Sequence, residues 1–274
     1  AWYSIEISDF PKCGKSGSEQ HRVYFDVKEN EIVSKAIIRG RFSKEYFDEF
    51  LKNNEIINVE KIVFTGIGAN NINKDDFNYP VNTIDEFVGI AKGALSLMDK
   101  EEALVVSVGT GTAFIDVTKT DVKHLGGTGV GAGTLFNFSK AFLGITNFDE
   151  MLELIEKGNV ENVDLRIKDI TKEEKATLPL DLTLANFGKL SKDSKPEDIA
   201  AGLINMVFEI IGVMASFNVA NKENKDVILI GNITTLPGVR EVLDRFEMLG
   251  TNVKFYVPED SEFSVAYGAV IASM

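Results

Sequence analysis

The sequence has few residues that could form disulfides or bind transition metals. Its 274 residues include one cysteine, Cys13, and two histidines. One cysteine cannot form an internal disulfide, and so few sulfur and imidazole ligands cannot make the spaced clusters that zinc sites need. The composition therefore predicts a protein without a bound transition metal.

Long apolar runs and an excess of basic residues are also lacking. No stretch reads as the roughly 18 apolar residues that span a bilayer, and the first residues do not form a charged-then-apolar leader. From these two observations we expect a cytoplasmic protein. The net charge is -13, whereas proteins that bind nucleic acid or anionic membranes need a basic face. We therefore expect neither partner, and we expect any phosphate-bearing ligand to be held by backbone dipoles.

The sequence does contain a regular succession of strand and helix patterns. Hydrophobic residues make up 44% of the chain, which is enough to bury a core. An antiparallel meander of YSIEIS, RVYFDV and EIVSKAIIRG precedes alternating helices and strands, an order that predicts an α/β protein in two lobes. Among the predicted helices are KEYFDEFLKN after a Ser43 cap, TIDEFVGIAKGALSLM after a Thr83 cap, TLANFGKL, and a long apolar helix beginning at Pro196.

Three glycine-rich turns interrupt this pattern, each at the end of a predicted strand: residues 109–112, residues 126–133 and Gly231. Glycine permits positive φ and close ligand approach, and amides in turns or at helix N-termini bind anions. The second turn, GGTGVGAG, leads into a helix whose first amides should point outward. Each turn alone could equally be a hairpin or a helix cap, but three together favour a phosphate site.

Two common phosphate signatures do not apply. The GKS at residues 14–16 lacks the glycine five positions earlier that a Walker loop needs, because position 9 is aspartate. No GxGxxG lies in a βαβ unit with a ribose-binding acid about twenty residues further on, so a Rossmann site is not predicted.

A longer set of segments follows in a characteristic order: VFTGIGAN, the Asp-Glu-Phe at 85–87, VSVGTGTA, LGGTGVGAGT, LDLTLANFGKL, ILIGNITTLPGVREVL and EFSVAYGAV. In order and spacing these segments resemble the type II pantothenate kinases, within the superfamily of acetate and sugar kinases, Hsp70 and actin. The resemblance runs from about residue 60 to the last residue. It implies a two-lobed ribonuclease H-like fold with mixed sheets flanked by helices, divided into an N-terminal lobe over residues 1–98 and a C-terminal lobe over residues 99–274 that carries the turns and dimerisation helices.

The activity that the resemblance implies is ATP-dependent phosphorylation of pantothenate to 4'-phosphopantothenate, the first step of coenzyme A biosynthesis, by a homodimer that uses ATP and Mg²⁺. Glu86 would be the general base, although a solvated acid in the first turn of a helix has the same appearance. The residues that would bind ATP are Gly109, Thr110, Gly111, Thr112, Gly126, Gly127, Thr128 and Gly129 at the phosphates, and Gly231 beside the nucleotide.

Two further residues match family positions at the substrate. Thr183 corresponds to a residue that reaches the substrate of the neighbouring subunit, and Tyr256 corresponds to an aromatic residue near the same pocket. Both could equally be core or helix-capping residues.

The chain departs from the family pattern at two places. The first strand normally leads into Ile-Asp-x-Gly-Gly-Thr, whose aspartate organises magnesium. Here Glu6 takes the place of that aspartate, and Ser8, Asp9 and Phe10 replace Gly-Gly-Thr. An acid at residue 9 would repel phosphates, unless the loop is rebuilt with Lys12 or Lys15. His124 stands where the family usually has an arginine, although it could also be a hairpin histidine facing water.

Three functions therefore remain in view. A working pantothenate kinase is favoured by Glu86 and the retained turns. A catalytically weakened paralogue with a binding or regulatory role is the alternative that the altered first loop favours. A related sugar or amino-sugar kinase is a third, although such enzymes have no reason to carry LDLTLANFG.

Overall fold

The computed structural model describes the chain over residues 2–8, 19–26, 31–39, 44–53, 59–173, 179–249 and 251–274. By its internal contacts the chain divides into two compact units. The first unit comprises Ala1–Glu101, Val117–Lys123 and Pro258–Met274, and the second comprises Glu102–Asp116 and His124–Val257. The lobe boundary at residue 98 stays a prediction.

Strands and helices alternate along the described residues much as the sequence predicts. The strands are β1 Trp2–Ser8, β2 Glu19–Asp26, β3 Glu31–Arg39, β4 Lys61–Thr65, β5 Val81–Thr83, β6 Glu102–Val108, β7 Thr112–Thr118, β8 Val122–Thr128, β9 Leu165–Arg166, β10 Thr183–Ala185, β11 Asp226–Ile230 and β12 Lys254–Tyr256. The helices are α1 Lys44–Asn53, α2 Glu86–Met98, α3 Ala132–Leu143, α4 Phe148–Lys157, α5 Pro196–Val219, α6 Val239–Glu247 and α7 Ser264–Ser273.

The sheet of the first unit has the described strand order β3-β2-β1-β4-β5. β1, β2 and β3 pair antiparallel, which confirms the predicted meander, while β4 lies parallel to β1 and β5 parallel to β4. Phe47 of α1 packs with Ile62 and Phe64 of β4 in a buried apolar cluster. α2 begins after Asp85, whose side chain accepts hydrogen bonds from the amides of Phe87 and Val88. The prediction of Thr83 as the cap was therefore wrong, since Thr83 lies in β5, and Ser43 lies outside the described residues.

Helices α2 and α7 cross at unusually close range. A Cβ added at Gly93 would lie 1.9 Å from the Ser264 carbonyl oxygen, and one added at Gly268 would lie 1.9 Å from the Gly89 carbonyl oxygen. Because these neighbours are backbone atoms, glycine is the residue that fits at both places. The crossing therefore fixes α2, and with it the first turn that carries Glu86, against the C-terminal helix.

The second sheet, whose strands lie mainly in the second unit, has the corresponding described order, β8-β7-β6-β11-β12. β7 and β8 form the predicted hairpin, closed by the Thr118 amide donating to the Asp121 carbonyl at 2.9 Å. β11 lies parallel to both β6 and β12. The two units thus share one strand topology, with a meander extended by parallel strands.

α5 begins at Pro196, as predicted, because proline presets helical φ and its missing N–H would have no partner at the first position of a helix. Leu203, Val207, Phe208 and Ile211 place one side of α5 in the core of the second unit. By length and composition the helix is apolar enough to cross a membrane, contrary to the expectation from sequence, but 56% of its most apolar window is buried within the protein. Its other side leaves Phe217 76% exposed.

The segment TLANFGKL was predicted as a helix, and this prediction was wrong. Thr183–Ala185 forms β10, which pairs antiparallel with β9. Phe187 then takes a positive φ of 59°, and its amide donates to the side chain of Asp164 at 2.7 Å. A side chain distant in sequence captures an amide that a helix would use, so this tertiary contact overrides the local helical pattern.

Candidate active site

The first glycine turn connects β6 to β7 and is closed by its own backbone. The Gly109 amide donates to the Gly111 carbonyl at 2.9 Å. A Cβ at Gly111 would stand 2.6 Å from the carbonyl oxygen of Thr128. Glycine at 111 is therefore required for the first turn to pack directly against the main chain of the second.

The second turn contacts the end of the first turn at several further points. A Cβ at Gly127 would lie 2.5 Å from the Thr112 carbonyl oxygen, and the Thr112 hydroxyl donates to the Val130 carbonyl at 2.8 Å. The Thr128 side chain accepts from the Val130 amide at 3.2 Å. The backbones of residues 109–112 and 126–131 are thus packed directly against each other and interlocked.

The first amides of α3 are already used in this arrangement. The Ala132 amide donates to the Gly109 carbonyl at 2.8 Å, and the Gly133 amide donates to the Thr110 carbonyl at 2.9 Å. The expectation that the helix begins with outward-pointing amides was wrong for these two residues. Open space does exist beside Gly126 and Gly129, where an added Cβ would meet nothing within 4 Å, and Thr110 is exposed.

Gly231 joins the same edge of the sheet. It follows β11 directly, has a φ of +119°, and a Cβ there would lie 2.2 Å from the Val108 carbonyl oxygen at the end of β6. Because parallel strands end at the same edge, the turns after β6 and β11 meet. The structure thus brings together the three turns that the sequence marked.

Glu86 lies in the first unit, in the first turn of α2, and is half-buried. Burial raises the pKa of its carboxyl above the ordinary value, and the charge of Asp85 adds to the rise. A hydrogen bond donated by the Ile67 amide opposes it. A carboxylate with a raised pKa, held by one backbone amide, has the properties expected of a general base.

Thr183 belongs to a network of polar side chains in the second unit. Its hydroxyl donates to Glu209 Oε1 at 2.5 Å, and the Asn186 side-chain amide donates to Glu209 Oε2 at 2.8 Å. The side-chain amide of Asn205 donates to Thr183 Oγ1 at 3.3 Å. Glu209 on α5 therefore holds the first residue of β10 and the turn that follows the strand.

Deeper in the network, Asp164 and Asn205 are almost fully buried. Asp164, with no exposed surface, accepts from the Asn205 side-chain amide at 2.7 Å. Arg245 of α6 donates to the Asn205 side-chain oxygen and lies 3.7 Å from Glu209 Oε1. Burial raises the pKa of Asp164, although hydrogen bonds from Phe187 and Asn205 oppose the rise. Burial also lowers the pKa of Arg245, against the charge of Glu209.

Sequence reasoning identified Thr183 but missed the residues that hold it. A signal was present in the sequence, since Asn205 and Glu209 stand four residues apart within an otherwise apolar stretch of α5. Polar residues at that spacing lie on one face of a helix, and inside an apolar helix they indicate a buried polar partner.

The other predicted residues are placed individually. His124 is exposed in β8, two residues before Gly126, and Tyr256 ends β12 with its side chain half-buried. The backbone of Glu6 lies in β1, opposite His21 in β2 and Thr65 in β4. Asp9, Phe10, Lys12 and Lys15, in the predicted first loop, lie outside the described residues, as do the side chains of Glu6 and Ser8.

The described side chains form no group of three or more histidine, cysteine or acidic residues that could hold a metal ion.

Solved structures similar to the whole chain define its fold class. The activator of 2-hydroxyisocaproyl-CoA dehydratase from Clostridium difficile, solved with bound ADPNP, covers 98% of this chain and 93% of its own at 16% identity and a TM-score of 0.64. A ROK family protein from Streptococcus pneumoniae covers 99% and 96% at 12% identity and a TM-score of 0.55. At these identities the similarity concerns the fold alone, and it confirms the predicted ribonuclease H-like α/β fold with mixed sheets flanked by helices.

Sequence comparisons narrow this class to a family. The Fumble family profile matches residues 102–262. A type II pantothenate kinase from Staphylococcus epidermidis is 30% identical over 232 residues, covering 81% of this chain and 86% of that protein. One from Staphylococcus aureus is 27% identical over 223 residues, covering 77% and 82%. This chain belongs to the type II pantothenate kinase (Fumble) family, which confirms the resemblance noted in its sequence.

Proposed function

We propose that this protein transfers the γ-phosphoryl group of ATP to the primary hydroxyl of pantothenate, giving 4'-phosphopantothenate and ADP at the first step of coenzyme A biosynthesis. The observation that carries the proposal is the similarity to type II pantothenate kinases over about 80% of the chain, at 27–30% identity. The enzyme is thus a kinase that acts on an alcohol group. Because ATP is an intracellular substrate, we place the reaction in the cytoplasm.

Glu86 is the proposed general base. Its carboxylate takes the proton of the substrate hydroxyl while the hydroxyl oxygen forms a bond to the γ-phosphorus and the bond from that phosphorus to the β,γ-bridging oxygen breaks, with the electron pair leaving on ADP. The partial burial and raised pKa of this carboxyl support the assignment, because a base works best when its pKa approaches the working pH.

The interlocked turns are the proposed nucleotide site. Gly109–Thr112 and Gly126–Gly129 would lie at the ATP phosphates, and Gly231 beside the nucleotide. The open space at Gly126 and Gly129 supports this, because no side chain there separates an anion from the backbone. Phosphoryl transfer depends mainly on positioning and electrostatic stabilisation, which fixed backbone donors provide.

Magnesium and the substrate have proposed ligands of their own. Glu6 would supply a carboxylate to the ion, which neutralises phosphate charge when bound. His124, Thr183 and Tyr256 would contact pantothenate. The position of Glu6 at the fifth residue of β1, in the strand that the family uses for its magnesium aspartate, supports the first assignment.

We also propose a homodimer. An apolar groove of about 390 Å³ in the second unit is lined by Phe138 and Phe142 of α3, Phe187, and Ile199 and Met206 of α5. The stripe of α5 that borders it continues to Val213 and Phe217, which are 38% and 76% exposed. A continuous exposed apolar surface of this kind is typical of a subunit interface, and a second copy of the chain is the occupant we assign.

A coupled assay of ADP release tests the function. With Mg²⁺ and ATP present, we expect release with pantothenate and background release with N-acetylglucosamine or no acceptor. Turnover of the amino sugar instead would establish the sugar kinase alternative. Isothermal titration with Mg-ATP tests the weakened paralogue: no detectable ATP binding by the folded protein would replace our proposal with that alternative.

A further inference from the structure

Thr183 is placed by groups whose donor and acceptor roles are fixed. Asn205 stands between Asp164, whose carboxylate accepts, and Arg245, which can only donate. The side-chain amide of Asn205 must therefore point its NH₂ towards Asp164 and its oxygen towards Arg245. Its second N–H then reaches Thr183 Oγ1 at 3.3 Å, so Asn205 donates to the threonine.

Glu209 fixes the direction in which the Thr183 hydroxyl donates its proton. Its described contacts, the Thr183 hydroxyl, the Asn186 side-chain amide and the Arg245 guanidinium, are all with donors. A carboxylate among donors accepts from each of them, and the Thr183 proton is thereby committed to Glu209. A threonine hydroxyl has one proton and two acceptor positions, of which Asn205 occupies one. One acceptor position is left.

We infer that Glu209 is a positioning residue of the pantothenate site, which holds β10 and the following turn on α5 and leaves Thr183 able only to accept a hydrogen bond. Thr183 then recognises a donor on the substrate, either the amide N–H or the secondary hydroxyl of pantothenate, and does not donate to its carboxylate. The inference rests on the proposed function and on the substrate contact assigned there to Thr183.

Removal and conservative replacement of Glu209 test the positioning role. In Glu209→Ala we expect the KM for pantothenate to rise by about tenfold while kcat stays within about threefold of wild type, because binding rather than chemistry loses a contact. Glu209→Gln keeps an acceptor for Thr183, and the Asn186 amide can rotate to match it, so this variant should restore most of the affinity.

Asp198→Ala is the matched control, because Asp198 is a second acid of α5, itself buried, that holds two donors, the Asn159 amide at 2.8 Å and the Asn162 side chain at 2.9 Å. This variant should lose thermal stability but keep the wild-type KM. An equal rise in KM for Asp198→Ala, or an unchanged KM for Glu209→Ala, would overturn the inference while the proposed function stands. Wild-type protein that does not phosphorylate pantothenate would overturn both.

Substrate analogues test the direction of the hydrogen bond. One analogue has an ester oxygen in place of the amide N–H, and the other lacks the secondary hydroxyl. Wild type should prefer pantothenate over one of them by about twofold to tenfold through the hydrogen bond to Thr183, and Thr183→Val should lose that preference while Thr183→Ser retains it. If Thr183→Val instead loses only the preference for the carboxylate over its carboxamide, threonine donates and the inference fails.

Discussion

At the scale of the residue, the partly buried carboxylate of Glu86 lowers the stability of the folded protein. Burial and the neighbouring Asp85 raise the pKa of its carboxyl in the folded protein. A group whose folded pKa is raised stabilises the fold below its unfolded pKa, and this contribution is lost as pH rises through the folded value. At neutral pH the charged form of Glu86 therefore costs stability that the proposed catalytic role requires.

Glu86→Gln should separate activity from stability. We expect kcat to fall by about 10²–10⁴-fold, the usual contribution of a general base. The variant should also unfold at a higher temperature than wild type at pH 7, with the difference shrinking as the pH falls towards 4.5, the ordinary value for the group. Steady-state assays and thermal unfolding measure the two effects.

Glu241→Gln provides the control for Glu86, since Glu241 is an exposed acid in the first turn of α6. It should leave both kcat and the unfolding temperature at pH 7 within error of wild type. Full activity in Glu86→Gln would remove that residue from its proposed role.

Alanine substitutions at two of the turn glycines, Gly231 and Gly129, should differ in their effects on stability and on the KM for ATP. Gly231→Ala places a Cβ 2.2 Å from a backbone oxygen at a φ of +119°, so the free energy of unfolding should fall by about 1–3 kcal/mol. In Gly129→Ala the added Cβ meets no atom within 4 Å, so the free energy of unfolding should stay within about 0.5 kcal/mol of wild type. The methyl group should instead raise the KM for ATP, because it occupies the open space beside the turn. Urea denaturation and ATP titration compare them, and equal stability of the two variants would contradict the strain at Gly231.

At the scale of the element, the crossing of α2 and α7 depends on glycines that weaken both helices locally. Glycine in a helix costs about 1 kcal/mol relative to alanine, so alanine at an exposed site would stabilise the helix. At Gly93 and Gly268 the facing backbone lies too close for a Cβ, and packing overrides propensity.

Gly268→Ala should therefore destabilise the protein by about 1–3 kcal/mol, because α7 must move away from α2. Displacement of α2 would also move Glu86, so kcat should fall along with the unfolding temperature. Lys92→Ala changes an exposed side chain of α2 and should leave both within error. A Gly268→Ala protein as stable as wild type would mean that the crossing adjusts freely.

At the scale of the whole molecule, both units carry the same described strand order, and the second unit has exposed apolar side chains on two of its helices. The second unit exposes Phe142, Val213 and Phe217, and α5 presents a stripe of apolar residues along its length. An acidic protein with a net charge of -13 repels other copies of itself, so a stable dimer would need such an apolar contact.

Phe217→Lys should shift the protein from dimer to monomer at micromolar concentration, because it places a charge in the proposed interface. Sedimentation equilibrium measures the shift. Glu223→Lys introduces the same side chain at an exposed position just after α5 and should leave the dimer intact. A wild-type protein that sediments as a monomer, or a Phe217→Lys dimer of unchanged affinity, would remove this surface from the proposal.

Much of the fold could be predicted from local patterns. The period-two alternation of β1–β3 and the apolar run after Pro196 are signals that neighbouring residues create, and both predictions are confirmed. The helical prediction for TLANFGKL failed because Asp164, about twenty residues earlier, binds the Phe187 amide. The Thr83 cap failed because a nearer acid, Asp85, accepts the amides of the first turn.

By itself the sequence determined the α/β class, the family and the three glycine turns, because each is written in residue types at fixed spacing. Only the tertiary structure decided which amides those turns leave open, since the carbonyls of Gly109 and Thr110 take the first two amides of α3. It also decided that Thr183 gives its proton to Glu209. Such pairings join backbone and side-chain groups from distant segments, and no local pattern encodes which donor will meet which acceptor.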